Sequence, residues 1–367
     1  MNAGQKKLVV IVSVTAALSA LAVFLYLFMG RETKEERVSS QQKDNIVRET
    51  AVPTPTAAPH KGMVRSRITG KWIKEDVAKK RCYAVMINNI EYAFLRQTGT
   101  SKADIIYEAL AEGGITRMLA VYEDVRGIKK IGSVRSARHY YVQFAKEWDA
   151  IYCHFGHTKY ATSKIKSLGT ENLSGLSAIG GVVYYRDSHI AAPHNVFTTG
   201  EKMKKGAKKL GYSLKRDENA MAKHFNFHEK DTALAGGKKA DKITIPFSNY
   251  STCKMKYDAG KKVYKKYEYN KKHMDTYYKK QLAFKNVIIQ LVSEKNIDRN
   301  GYQTMSLNNN KGSGYYYTDG KRTSITWVRN EDTNTMEYYD DTGNLLTVNP
   351  GKTYIAVYPK NRKNLIK

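Results

Sequence analysis

The stretch Asp104-Ile-Ile-Tyr-Glu-Ala-Leu-Ala-Glu-Gly-Gly-Ile-Thr-Arg-Met-Leu-Ala-Val-Tyr122 decides how the chain folds. Two apolar runs flank Gly113-Gly114, and adjacent glycines supply the backbone freedom of a tight turn, so the segment reads as a β-hairpin. With the glycines at the tip, Glu108, Leu110 and Glu112 share a face with Ile115, Arg117 and Leu119. Arg117 then stands opposite Leu110 and diagonal to both glutamates, an ion cluster of Glu108, Glu112 and Arg117 on a half-apolar face. Working outward, Tyr83–Asn88 and Ala150–His154 read as strands. From Ala137 to Trp148 the residues Tyr141, Phe144, Ala145 and Trp148 recur at helical spacing. Thr162 to Leu168 reads as a short helix, Val182 to Tyr185 as a strand, and Thr198 or Thr199 caps a basic helix running to Leu210. Helices interspersed with strands give an α/β or α+β N-terminal domain over 65–212. A polar linker, 213–240, follows. From Ile243 to Pro359 strand succeeds strand, with turn signals at Asp319-Gly320, Thr342-Gly343 and Pro350-Gly351, so residues 241–360 are expected to be a mostly antiparallel, β-rich C-terminal domain.

Ahead of these domains the chain has a different character. Leu8 to Met29 carries no charge. As a helix it is about 33 Å long, enough to cross a bilayer. No small-residue cleavage site follows it, so it reads as a transmembrane signal-anchor rather than a removed signal peptide. Residues 1–7 would be a short cytoplasmic tail. Residues 30–64, charged and then Pro/Ala/Thr-rich, would be a disordered tether. The lysine and arginine counts on the two sides of 8–29 are close to a tie, so orientation rests on the short tail and the stalk-like tether. The expected location is the cell membrane, single-pass, with the C-terminal domains extracytoplasmic.

Charge narrows the partners. The net charge is +28 and the pI about 9.7. Such a balance suggests nucleic acid, but a membrane anchor argues against it. The polyanions outside a bacterial membrane are wall polymers, peptidoglycan or teichoic acid, and a basic ectodomain is drawn to them. A protein partner stays open. Residues 251–280 hold ten lysines, three acids and six tyrosines, either as exposed hairpin faces or as a contact surface for polyanionic glycan. Cys82, Cys153 and Cys253 lie far apart with no metal-ligand spacing and read as buried free thiols. Nothing points to a metal or a cofactor.

The residues with chemistry cluster in the first domain. In Ile131-Gly-Ser-Val-Arg-Ser-Ala-Arg138 a small-residue loop presents Arg135 and Arg138 at a helix entrance, where free N–H groups favour an anion. Arg186, His194 and Asn195 carry the same flavour, and His154 ends a strand. Arg135, Arg138, His154, Arg186, His194 and Asn195 are therefore the expected ligand-binding set, against the alternative that the arginines pair with Asp104, Glu108 or Glu112. Glycan cleavage needs carboxylic acids, and Glu112 and Asp187 are the candidates. Cysteine catalysis at Cys153 is disfavoured, because adjacent Cys153 and His154 point to opposite faces of a strand.

At Ala103–Glu108, Glu112–Arg117, Gly132–Arg138 and Ala192–Asn195, and again at Asn286–Gln290, Thr326–Arg329 and Val348–Thr353, the chain resembles the YerB-like lipoprotein family. That family pairs an N-terminal with a C-terminal domain of unknown function, and the resemblance covers almost everything past the tether. It implies an extracytoplasmic, membrane-attached protein of Gram-positive-type bacteria and supplies no mechanism. Two departures stand out. No lipidation cysteine follows Met29, and His139 stands where proline is expected at the helix start. Two functions remain, from different classes: a membrane-anchored binder of an anionic wall polymer or wall-associated partner, and a peptidoglycan-glycan-active enzyme of the glycosidase or lytic transglycosylase type.

Overall fold

The hairpin forms with its register shifted by one residue. β1 (Tyr83–Asn88), β2 (Ile105–Leu110) and β3 (Thr116–Tyr122) lie side by side, with β2 and β3 joined through a turn at Glu112–Gly114. Both turn glycines have positive φ, 65° and 72°, which side chains with a Cβ rarely adopt. Leu110 pairs with Thr116 and Ala109 with Arg117, not Leu110 with Arg117. Because side chains alternate, one residue of slip sends Glu108 and Arg117 to opposite faces of the sheet. The expected three-residue ion cluster is thereby split.

The computed structural model describes residues 60–217, 219 and 224–367. The expected tail, membrane segment 8–29 and all but the end of the tether lie outside them. Among the described residues no helix is long and apolar enough to cross a membrane. Met1–Thr56 forms a separate unit outside this description, and the following concerns Ala57–Lys367.

The remaining main elements are α1 (His139–Lys146), β4 (Ile151–His154), α2 (Lys159–Ser167), β5 (Asn172–Ser174), α3 (Gly200–Lys209), β6 (Lys238–Lys239), β7 (Lys242–Pro246), β8 (Thr252–Asp258), β9 (Val263–Glu268), β10 (Asn286–Val292), β11 (Asn310–Thr318), β12 (Lys321–Asn330), β13 (Thr335–Tyr339) and β14 (Thr353–Pro359). α3 starts at its expected cap, Thr199, whereas α2 starts three residues ahead of the expected Thr162 and is capped by Thr158. Thr158 accepts a hydrogen bond from the Ala161 N–H and Thr199 from the Lys202 N–H. Val182–Tyr185 departs from expectation. Gly180–Val183 is a helical turn and the strand is Tyr185–Arg186, a segment too short for periodicity to separate the two states.

Eleven strands share one sheet, in the order β6-β12-β11-β10-β14-β2-β3-β1-β4-β5, with β13 also on β12. The N-terminal part is mixed: β1 pairs antiparallel with β3 and parallel with β4. The C-terminal part, β10 to β13, is antiparallel. The last strand, β14, lies parallel between β10 and β2, so strands from both halves of the sequence form one sheet. β7, β8 and β9 build a second, antiparallel sheet.

Two cores flank the large sheet. On one face Val85, Ile106, Met118 and Val287 pack with Ile243, Met255 and Tyr264 of the second sheet and Met203 of α3. On the other, Met86, Tyr107, Leu119, Ile288 and Val357 pack with Tyr140, Tyr141 and Phe144 of α1 and with Trp148. Each such side chain removed from water contributes about 1.5–3 kcal/mol. Beside α1, Arg329 of β12 forms a fully buried ion pair with Glu147, which also accepts the Tyr107 hydroxyl at 3.2 Å. This pair ties a helix of the first half to a strand of the second.

Candidate functional site

Arg138 and Arg117 converge on one carboxylate. Arg138 holds Glu112 with two nitrogens, its Nε at 2.9 Å, and Arg117 reaches the same carboxylate at 2.7 Å. Both arginines are buried. Burial pushes the Glu112 carboxyl up, but the two guanidiniums outweigh it and hold its pKa at about 2. Glu112 is therefore ionised at neutral pH and is no proton donor. Asp187 is likewise held below the usual carboxylate range, chiefly by the Lys130 ammonium at 2.9 Å. Neither expected catalytic carboxyl is in the protonation state a glycosidase acid needs.

The expected ligand-binding residues separate into four environments, the first being that of Arg138 on Glu112. His154 is buried, with its Nδ1 2.8 Å from the Gly156 carbonyl and its Nε2 3.1 Å from the Asn172 side chain, and burial lowers its pKa. Arg186 donates to Asn195 at 2.7 Å and lies over the Phe155 ring. Arg135 and His194 do come together. Arg135 donates to the Pro193 carbonyl at 3.2 Å, and His194 is pushed down by burial, then by the charges of Arg135 and Arg96. Burial, Arg117 and Arg138 also lower Arg135, to about 10. Of the two loop arginines, Arg138 is taken up by structure and Arg135 is partly buried, with its Nε enclosed and its guanidinium on the loop of His194.

Glu108 lies on the opposite face, in a buried network that the sequence did not reveal. Lys266 Nζ reaches Glu108 at 3.1 Å, His273 Nδ1 at 3.1 Å, and Glu268. Its three donors are thus matched to three acceptors. The Tyr354 hydroxyl donates to Glu108 at 2.7 Å, Ser251 to Glu268 at 2.7 Å, and Asn89 to both carboxylates at 3.0 Å. His273 Nε2 lies 2.6 Å from Gln97 Oε1 and so carries the proton, leaving Nδ1 to accept from Lys266. Burial, reinforced by Lys266, keeps His273 neutral. The signal was present in Tyr264, Lys266 and Glu268, which alternate on one face of β9. Within a lysine-rich run that face looks solvated.

The motif Val348-Asn-Pro-Gly-Lys-Thr353 forms part of the wall of a cleft of about 410 Å³. Lys71, Lys261, Lys262, Lys285 and Lys352 line it, with Asp231 as the acid. Asn349 fixes the loop through the Thr232 N–H and carbonyl at 2.8 and 2.9 Å. Gly351 is required because a Cβ there would sit 2.4 Å from that of Lys285. Lys285 is neutralised by Asp231 and Asp319, and Lys262 reaches Asp231 at 3.2 Å. Burial lowers the Lys352 amine to about 8, with Lys71, Lys102 and Lys280 adding to the effect against Asp104. Five lysines around one cleft favour an anion between them. Among the described residues no three His, Cys, Asp or Glu side chains form a metal site.

The chain matches two family descriptions: "Protein of unknown function (DUF3048) N-terminal domain" over residues 68–213, and the corresponding C-terminal domain over residues 243–355. It is 30% identical over 323 residues, 88% of this chain and 91% of the relative, to the Bacillus subtilis strain 168 protein named "Putative lipoprotein YerB". The crystal structure of YerB protein from Bacillus subtilis superposes with a TM-score of 0.71 at 28% identity, covering 81% of this chain and 97% of that one.

Proposed function

The chain belongs to the YerB-like family defined by these paired DUF3048 domains, and on that premise we propose that it is an envelope-attached protein that binds an anionic wall polymer. The polymer would be a phosphate- or carboxylate-bearing strand, held in the lysine-lined cleft. The observation that carries this reading is the five lysines around that cleft, three of them, Lys71, Lys261 and Lys352, without a carboxylate within ion-pair distance among the described residues. Attachment would be through residues 8–29, with Ala57–Lys367 outside the membrane. A relative named as a lipoprotein supports the envelope location. Cleavage of wall glycan by Glu112 or Asp187 has less support, since both carboxylates are paired to cations.

The test is co-sedimentation of the full-length protein, in detergent, with purified cell wall and with poly(glycerol phosphate). Binding is expected, weakening as salt screens the lysines, and Lys261→Gln together with Lys352→Gln should remove most of it. Release of soluble muropeptides would instead indicate an enzyme. Protease added to intact protoplasts should remove everything after about residue 57.

A further inference from the structure

A second cleft, also about 410 Å³, opens where the short helix Glu91–Phe94 meets the β7–β8 turn and the end of β9. Its chemistry differs from that of the lysine cleft. Glu91, Asn249, Tyr250, Lys254, Tyr269 and Asn270 line it. Glu91 pairs with Lys271 at 3.9 Å and Lys254 donates to the Asn270 side chain at 3.0 Å, so both charged groups are engaged and the two carboxamides add neutral polar groups to the lining. Tyr250 is 46% exposed. Its ring is nonetheless set in place: the hydroxyl accepts the Glu91 N–H at 3.3 Å and the ring meets Tyr269 edge-on at 5.8 Å. Tyr269 is fixed in turn, donating to the Asn89 carbonyl at 2.7 Å and packing on Phe94. An ordered aromatic face loses little entropy when a ligand covers it.

The next residue after Glu91 repeats the pattern. Tyr92 is 38% exposed, with the Arg96 guanidinium 3.9 Å over its ring and the His194 ring at 5.2 Å. Beyond His194 stands Arg135. Two exposed, anchored tyrosine rings thus flank Glu91, amides lie at one end and cations at the other. A phosphate chain offers no apolar face to such rings. An apolar peptide has no use for the Asn249 and Asn270 carboxamides, which can each donate and accept. A pyranose ring suits both: its C–H face covers an aromatic ring while its hydroxyl and acetamido groups point outward to the amides.

We infer that the Tyr250 cleft and Tyr92 form a binding track for the sugar rings of a β-linked, N-acetylated amino-sugar chain. This deepens the reading of the protein as a wall-polymer binder, dividing the task between a neutral sugar track and a lysine cleft for anionic groups.

The test is isothermal titration of the full-length protein, in detergent, with two probes: the neutral β-1,4-linked hexamer of N-acetylglucosamine, and inorganic polyphosphate. The hexamer should bind with an affinity that changes less than about 2-fold between roughly 0.05 and 0.5 M salt, because no net charge is matched. Tyr250→Ala should weaken it about 10-fold, the loss of one stacked ring, while Tyr250→Phe stays within about 3-fold. Polyphosphate binding should be unaffected by Tyr250→Ala and lost with Lys261→Gln plus Lys352→Gln. Failure of the hexamer to bind at about 5 mM, near the weak end of specific recognition, overturns the inference, as does a Tyr250→Ala variant that binds normally. Polyphosphate failing while the hexamer binds through Tyr250 removes the anion reading and leaves the sugar track standing.

Discussion

At Glu112 two guanidiniums determine what one carboxylate can do. The sequence placed Arg117 near Glu112 because they flank a glycine turn, and the 2.7 Å contact is there. It could not show that Arg138, twenty-six positions along, completes the pair, since that depends on where α1 starts against the turn. Replacing Glu112 with Gln leaves Arg117 and Arg138 buried without their anion. Because Glu112 is itself partly exposed, the loss should be about 2–3 kcal/mol, below the ~3–5 of a fully enclosed pair. Its folded pKa of about 2 lies below the usual 4.5, so the stability it contributes is present above pH 4.5 and disappears as pH falls toward 2. Urea unfolding at pH 7 and pH 3 should show the wild-type advantage over Glu112→Gln shrinking to roughly half at the lower pH. Glu294 has the opposite sign. Burial, against Arg362, raises it to about 7, so folding is favoured below pH 4.5 and that contribution fades as pH climbs through 7. Glu294→Gln should therefore melt higher than wild type at pH 8 and no higher at pH 4.5. An equal shift at both would mean the carboxyl is solvated.

Among the elements, period and capping residues located α1, α2, α3 and most strands. What they could not supply was parity across the β2–β3 turn. The five residues Ala111–Ile115, not two, separate the paired ends, and an odd count exchanges the faces. That exchange delivers Glu108 to Lys266 and Glu268 of β9, a contact between residues more than 150 positions apart and outside the range of any local pattern. The network predicts a specific hierarchy. Lys266→Met leaves Glu108 and Glu268 close together without their cation and should cost about 3–5 kcal/mol. Adding Glu108→Gln and Glu268→Gln removes the repulsion and should recover a substantial part. Equal stability of the single and triple variants, by chemical denaturation, would show that charge plays no part in holding β9 on the large sheet.

For the whole molecule, composition and charge pointed to a basic protein, and the antiparallel strands of its second half were legible from their turns. That the halves share a sheet was not, because β14 reads as one more antiparallel strand until its parallel neighbours β10 and β2 are known. The pairing predicts that a fragment of residues 57–240 will not fold alone: β2 loses its neighbour and the second-sheet cover of its inner face. Its amide NMR spectrum should be collapsed near random-coil shifts. A dispersed spectrum would show that the halves are independent.

β14 also follows every other described strand of the large sheet along the chain, so it is the last of them to leave the ribosome. A polypeptide emerges from its N-terminus, yet the strand that bridges the sheet ends at Pro359. Until then β2 and β10 each present an open edge of inward-facing residues, and no earlier stopping point gives a closed sheet. Completion of the sheet thus waits for the last of its described strands. If the chain is exported unfolded, as the proposed envelope location requires, the delay keeps it in a passable state during transit. A product that stops short of Thr353 would have both edges bare, an easily recognised target for the proteases that clear failed proteins.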